Sequence, residues 1–409
     1  MDPGTDVTMT LSIARKYRFF RLAALCLLLL PIGAYATESR TEQEVVLSAR
    51  DGLTYLLSFV GPAAAGSETF QPDRISEILR FVTGAKDPHV LYNGGTFNGA
   101  ACAYHEIDIR RGLDHVLRLT YNPDIPAVAM MPASVRLAYW AEIDTPDNAL
   151  PKIWEALPAS ETPQFFKGVE HIVNSPDQHS GAYFEYDLYR TLILMKYDGR
   201  DVFISLSRQK NVSDVGKKGV IVGPDGNWDY LYTGQAGVSY AGLGWVKSYM
   251  YDSYSVSFYV ATESAAPIVR LGVFKWMRAG WAGINLARPP HIFSGLERFA
   301  ESFKMLLENP HLADAAEVSR VFAGLRSLSD KEQRKIIEGC LVEIEKKCRL
   351  ERQFSDDYLK ALSADRYYID GLNEAERESL IALAQVKKLL GGAPSLELMS
   401  LRPKSTDAE

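Results

Sequence analysis

Leu192-Ile-Leu-Met-Lys-Tyr197-Asp198-Gly199-Arg-Asp-Val202-Phe-Ile-Ser-Leu-Ser207 is the stretch that decides the fold. An Asp-Gly pair between two apolar runs supplies the two left-handed positions of a tight hairpin, because Gly has no Cβ and Asp tolerates positive φ. Two antiparallel strands are therefore expected, and the flanking sequence extends them. Gly219–Val222 and Trp228–Tyr232 flank the turn Pro224-Asp225-Gly226-Asn227, Trp245–Tyr251 and Ser255–Val260 flank Asp252-Ser253, and Ile268–Trp276 adds another strand. From His171 to Leu286 the pattern predicts antiparallel sheet.

Upstream, Val135, Leu137, Tyr139, Ala141 and Ile143 alternate with more polar neighbours, which predicts a half-buried strand. Ala149–Leu157 and Phe165–Gly168 read as short elements, the first helical. Nearer the N-terminus, Thr41–Val60 and Pro72–Val82 predict helices, and Ala101–Ile109 and His115–Tyr121 predict strands. Downstream the period changes: Leu296, Phe299, Ala300, Phe303, Leu306 and Leu307 share one helical face behind a Ser294…Glu297 capping box, and Asn309-Pro310 ends the run. Three more helices open at Asp314…Glu317, Ser329…Glu332 and Asn373…Glu376, the last closed by Gly391-Gly392.

At the start of the 409-residue chain, Arg15, Lys16, Arg18 and Arg21 precede the apolar run Leu22–Leu30 and then Ala34-Tyr35-Ala36. A basic flank, a short apolar core and small residues two apart predict a secretory signal peptide cut after Ala36. The run is shorter than the roughly 20 residues that cross a bilayer. Cys26 follows Leu25, where lipid attachment needs a small residue. A periplasmic or secreted protein is expected.

The net charge of −6 falls further once that basic segment is removed, so nucleic acid is excluded as a general partner. Cys340 and Cys348 lie on one expected helix, about 12 Å apart along its axis, beyond disulfide reach. Either Cys102 bridges to one of them or all three remain thiols. The organisation expected is a signal peptide (1–36), an N-terminal helical and strand region (37–130), a central β domain (131–310), a C-terminal helical region (311–394) and a disordered tail (395–409).

The order strand Val135–Ile143, short elements Ala149–Phe166, antiparallel strands and then the helix from Ser294 resembles the START/Bet v1-like helix-grip superfamily. Val135-Arg-Leu-Ala-Tyr-Trp-Ala-Glu-Ile-Asp-Thr-Pro-Asp with Ile153-Trp154 is similar to its first strand and helix, Phe165-Phe166-Lys167-Gly168-Val169 to the turn into its second strand, and Trp281–Pro290 to its closing element. The resemblance implies an α+β fold in which a curved antiparallel sheet grips a long helix, with additional helical regions at both ends. It also implies an apolar cavity for lipids or other hydrophobic ligands, and it carries over no catalytic residues.

Tyrosines crowd the expected strands, and an aromatic ring with one polar end suits a pocket that orients an apolar ligand. Lys275-Trp276-Met277-Arg278-Ala279-Gly280-Trp281 mixes cations with indoles and fits an anionic headgroup or peripheral contact with a membrane. The candidate ligand-binding residues are therefore Tyr186, Tyr230, Tyr249, Tyr251, Trp276, Arg278 and Trp281. Cross-strand stacking of tyrosines explains the same pattern without a ligand.

Other chemistry is weakly signalled. His105, Glu106, Asp108 and His115 lack metal-ligand spacing, since His105 and Glu106 point to opposite faces of a strand. His171, His179 and Asp177 around Ser175 have triad residue types without a nucleophile elbow. Gly237–Gly244 reads as a flexible loop or lid. No cofactor is expected. The leading expectation is a non-enzymatic binder of a hydrophobic or lipid-like ligand. The alternatives are an extracytoplasmic hydrolase, or an interaction module using an apolar stripe on Lys331–Leu350 or Glu374–Leu390.

Overall fold

A computed structural model describes residues 41–240, 244–262, 266–350 and 370–391. Residues 1–36, read above as a signal peptide, the tip of the Gly237–Gly244 loop and the tail expected at 395–409 lie outside the described residues. Asp198 (φ 50°) and Gly199 (φ 75°) both adopt the left-handed region, as the hairpin reading requires. They join β7 (Glu185–Tyr197) to β8 (Arg200–Gln209) in continuous antiparallel register from Tyr197↔Arg200 to Leu188↔Gln209.

Pairing spreads outward from this hairpin in both directions. On one side β8 pairs with β13 (Tyr249–Ala261), β13 with β14 (Val269–Trp281), β14 with β3 (Ala101–Ile109), and then β2 (Val90–Asn93) and β1 (Thr41–Glu44) follow. On the other side come β5 (Gln164–Asn174) and the edge strand β4 (Val135–Ile143), while β15 (Ile284–Asn285) pairs with the end of β14. The β1–β2 pair is parallel, so this ten-stranded sheet is mixed, and it is open rather than closed into a barrel. Strands from the 37–130 and the 131–310 stretches share it.

Both faces of the sheet are buried, which explains why Leu192–Met195 and Val202–Ile204 are continuous apolar runs rather than alternating ones. Ile193, Met195, Ile204, Val256, Phe258, Phe274 and Trp276 pack beneath helices α1 (Leu47–Leu57) and α2 (Ser76–Thr83). Leu192, Leu194, Phe203, Tyr259, Leu271 and Val273 point the other way. They meet α3 (Leu113–Thr120), α4 (Ala127–Met130), α5 (Pro289–Leu307), α6 (Ala315–Arg326) and α8 (Glu374–Leu389). The remaining helix, α7 (Asp330–Leu350), lies against α8. The long helix α5 packs mainly on β3 and, less, on β14. A second sheet orders β10 (Tyr230–Ala236), β9 (Lys217–Ile221) and β6 (Ala182–Tyr183). Val238–Tyr240 (β11) and Gly244–Val246 (β12) form a separate two-stranded ribbon.

Several local readings are corrected. Thr41–Glu44 is a strand, since its polar side chains bury nothing and its backbone pairs with β2. The expected strand His115–Tyr121 is instead helix α3 and its C-cap Tyr121; Leu113, Val116 and Leu117 form one buried stripe of α3, and Asp114 and Arg118 pair at i,i+4. Ile153–Ala156 forms a short 3₁₀ turn, and Phe165–Gly168 lies inside β5. Asp252-Ser253 is no turn: β13 runs straight through it, with a bulge between Met250 and Asp252. Bulges also interrupt β4 between Val135 and Leu137 and between Trp140 and Glu142, and Tyr139, expected inward with Leu137, is 45% exposed with its ring against His171. Helix α5 begins at Pro289-Pro290, whose fixed φ suits the first turn, so Ser294 sits inside it. The caps Asp314→Glu317 and Asn373→Glu376 form as expected, the latter as a full capping box.

Candidate functional site

Bulged β4, the loop after α3 and the face of the sheet enclose a cavity of about 450 Å³. Much of its wall is apolar, with Ile125, Val128 and Met131 around α4, Leu137, Trp140 and Ile143 from β4, and Phe299 from α5, while Asn122, Ser379 and the Arg326–Glu378 ion pair also line it. Polar residues of the sheet face form its floor: Glu170 of β5, Arg190 of β7, Ser205 of β8, and Ser257 and Tyr259 of β13, with Tyr121 beside them. Asn148 folds back from the β4 end and accepts from the Ile143 amide at 2.7 Å, which fixes one wall.

The floor is built from ion pairs and hydroxyls. Arg190 donates through Nε to Glu170, and its Nη1 reaches Ser205 Oγ at 2.9 Å. Burial works against the Arg190 charge, but Glu170 beside it outweighs that and raises the guanidinium further. Burial pushes the Tyr121 and Tyr259 hydroxyls up, so both remain protonated, with Tyr121 in contact with both Tyr259 and Ser205. Next to this floor the register aligns Arg190, Ser207, Ser255 and Lys275 across four strands. Ser207 and Ser255 share a hydrogen bond of 2.6 Å, and Lys275 Nζ donates to Ser253 Oγ at 2.7 Å. Burial, with Arg190 second, holds the Lys275 amine down at about 8. Among the described residues, no carboxylate pairs with it.

The sequence-selected residues lie elsewhere. Trp276, 2% exposed, occupies the opposite face of the sheet and donates to the Gly95 carbonyl at 3.0 Å. Tyr186 packs with Val135, Ile172 and Leu188 near β4. Tyr230 sits in the small sheet, where its hydroxyl meets Asp225 and Arg298. Tyr249, Tyr251 and Arg278 do come together: the two rings stack at 6.4 Å, and Arg278 lies over Tyr251 while paired with Asp252. Trp281 ends β14 opposite Ile284. None of the seven lines the 450 Å³ cavity.

The weaker candidates separate as well. His171 engages Asp187 at 2.9 Å and Glu185 at 3.5 Å, whereas His179 meets the His291 ring. Ser175 Oγ donates to the Ala133 carbonyl. Glu106 pairs with Lys86 and Arg270, while His105 packs edge-on against Phe293. No three His, Cys, Asp or Glu among the described residues are placed to hold a metal, and Cys102, Cys340 and Cys348 form no disulfide. No described helix is long and apolar enough to cross a membrane.

Sequence reasoning missed Tyr121, Glu170, Arg190, Ser205 and Ser257. Its one available signal was the alternation Ser253-x-Ser255-x-Ser257, which puts three hydroxyls on one face of a strand whose other face is apolar. Comparison with protein-family models, curated proteins and solved structures returns no match to this chain.

Proposed function

We propose that the protein is a non-enzymatic binder of a small amphipathic molecule, held in the cavity between the sheet and the helices. The observation that carries this reading is the division of that cavity into a mainly apolar wall and a floor of hydrogen-bonding groups on the sheet. A ligand with a hydrocarbon body and a polar head satisfies both halves, whereas water satisfies only the floor. The volume falls within the roughly 300–1,000 Å³ usual for small-molecule sites. Phe299 of the long helix lines the same cavity as the sheet floor, which supports the helix-grip reading of the fold. The export address read from residues 1–36 supports a carrier or sensor that works in the periplasm or outside the cell.

Native mass spectrometry of the purified chain beginning at Thr37, followed by organic extraction, tests this. A stoichiometric apolar molecule is expected. A clean apo mass with no uptake from a lipid panel would overturn it. The Lys275–Ser253 hydrogen bond favours a second reading, a serine hydrolase in which the amine activates the hydroxyl. Ser253 has no exposed surface, so this reading ranks second. Labelling by a fluorophosphonate would promote it.

A further inference from the structure

The cavity floor continues beyond its own lining. Ser257, at the floor, is followed along β13 by Ser255, and Ser255 is the cross-strand partner of Lys275. Ser255, Ser257 and Lys275 are each only half-buried, although they occupy the middle of a sheet covered on both sides. Their neighbours on the opposite face, Tyr254, Val256, Phe258 and Phe274, are 0–3% exposed. Surface that survives at the centre of a covered sheet means open space above it, so the strip from Ser257 to Lys275 borders a recess.

The charges in this recess do not cancel. Glu170 neutralises Arg190. Lys275 contributes one further positive charge, and an ammonium has three protons to donate, of which Ser253 takes one. A half-buried cation with open donor capacity and, among the described residues, no carboxylate beside it is stabilised when an anion joins it. The hydrogen-bonded hydroxyls of Ser207 and Ser255 leave one further proton to donate to an oxygen acceptor.

We propose that this strip is the seat of a carboxylate headgroup, which makes the ligand a monoanionic amphipathic acid whose chain occupies the apolar cavity. The inference rests on the ligand-binding reading above. One surplus positive charge matches a monoanion, whereas a phosphate monoester would leave a negative charge buried without a partner. The lowered Lys275 amine agrees with this: it is the state expected of a cation whose counter-ion has to arrive with the ligand.

Titration calorimetry of the delipidated chain with dodecanoic acid, dodecanol and dodecyl phosphate provides the test, in the wild type and in Lys275→Met and Lys275→Arg. Dodecanoate should bind at least about tenfold more tightly than dodecanol, a difference of about 1.4 kcal/mol. Lys275→Met should erase that preference, and Lys275→Arg should keep it. Equal affinity for acid and alcohol, or an acid preference that survives Lys275→Met, overturns the headgroup assignment while leaving the binding function intact. Tighter binding of dodecyl phosphate than of dodecanoate overturns the choice of carboxylate. If none of the three binds, the binding function fails and the headgroup assignment falls with it. Should Lys275→Met not fold, loss of the preference in Ser255→Ala with Lys275→Arg unaffected carries the same information.

Discussion

Arg298, on the long helix, grips Asp225 with two nitrogens at 2.6 and 2.7 Å, and this pair fastens the Pro224–Asn227 turn of the small sheet to α5. Its third contact, to the Pro176 carbonyl at 2.9 Å, draws in the chain entering β6. The pair is largely buried, at 10% and 24% exposure. Removing one member leaves the other charge without its partner, so Arg298→Ala should cost about 3 kcal/mol. Urea unfolding measures it, and the double variant with Asp225→Asn should lose less than the sum of the single variants.

Trp276 separates stability from ligand binding. Its indole is buried against Phe274 and Gly95 on the face away from the cavity. Trp276→Phe should lower stability by about 1–3 kcal/mol through the orphaned Gly95 carbonyl and lost volume. Ligand retention in native mass spectrometry should be unchanged. A loss of ligand with stability intact would return Trp276 to the binding residues.

Gly199 bears a purely conformational load. An added Cβ there meets no atom within 4 Å, yet φ is 75°. Gly199→Ala should therefore cost about 1 kcal/mol from backbone strain alone, with no change in the cavity. Thermal unfolding monitored by circular dichroism reads the difference.

The His171 cluster gives the β4 edge a pH optimum. His171 holds the Glu185 carboxyl down at about 2, helped by Lys217, so that contribution is complete above the usual 4.5 and fades as pH falls toward 2. The imidazole is raised above 6.5 by Glu185 and Asp187, so its contribution is complete below 6.5 and fades as pH rises through the elevated value. The two windows overlap between 4.5 and 6.5. His171→Gln should therefore lower the melting temperature most near pH 5.5 and least near pH 9, by a modest amount because both groups are partly exposed. An equal effect at both pH values would exclude the ion pair as the cause.

Local chemistry made some of this fold legible and long-range pairing hid the rest. Asp198-Gly199 and the Asn373/Glu376 capping box were readable because a turn and a cap are decided by adjacent residues. Asp252-Ser253 read as a turn because its composition is turn-like. Ser253 instead serves the polar strip, so the tertiary environment overrides local preference there. The candidate site was illegible because Glu170, Arg190, Ser205, Ser257 and Lys275 come from five strands, each unremarkable alone. They become neighbours only through registers such as Arg190↔Ser207 and Ser255↔Lys275.

The pairing of β3 with β14 has a temporal meaning. Ala101–Ile109 finds its partner only at Val269–Met277, after every strand from β4 to β13 has been made. The β7–β8 hairpin closes as soon as it is synthesised, whereas the N-terminal strands must wait for nearly the whole sheet before they have an edge to join. Such distant pairings slow folding and leave unpaired backbone exposed in the interval. Under the export proposed above, that delay is an advantage: the order of its strands keeps the chain unfinished, and so threadable, until about two thirds of its 409 residues have emerged.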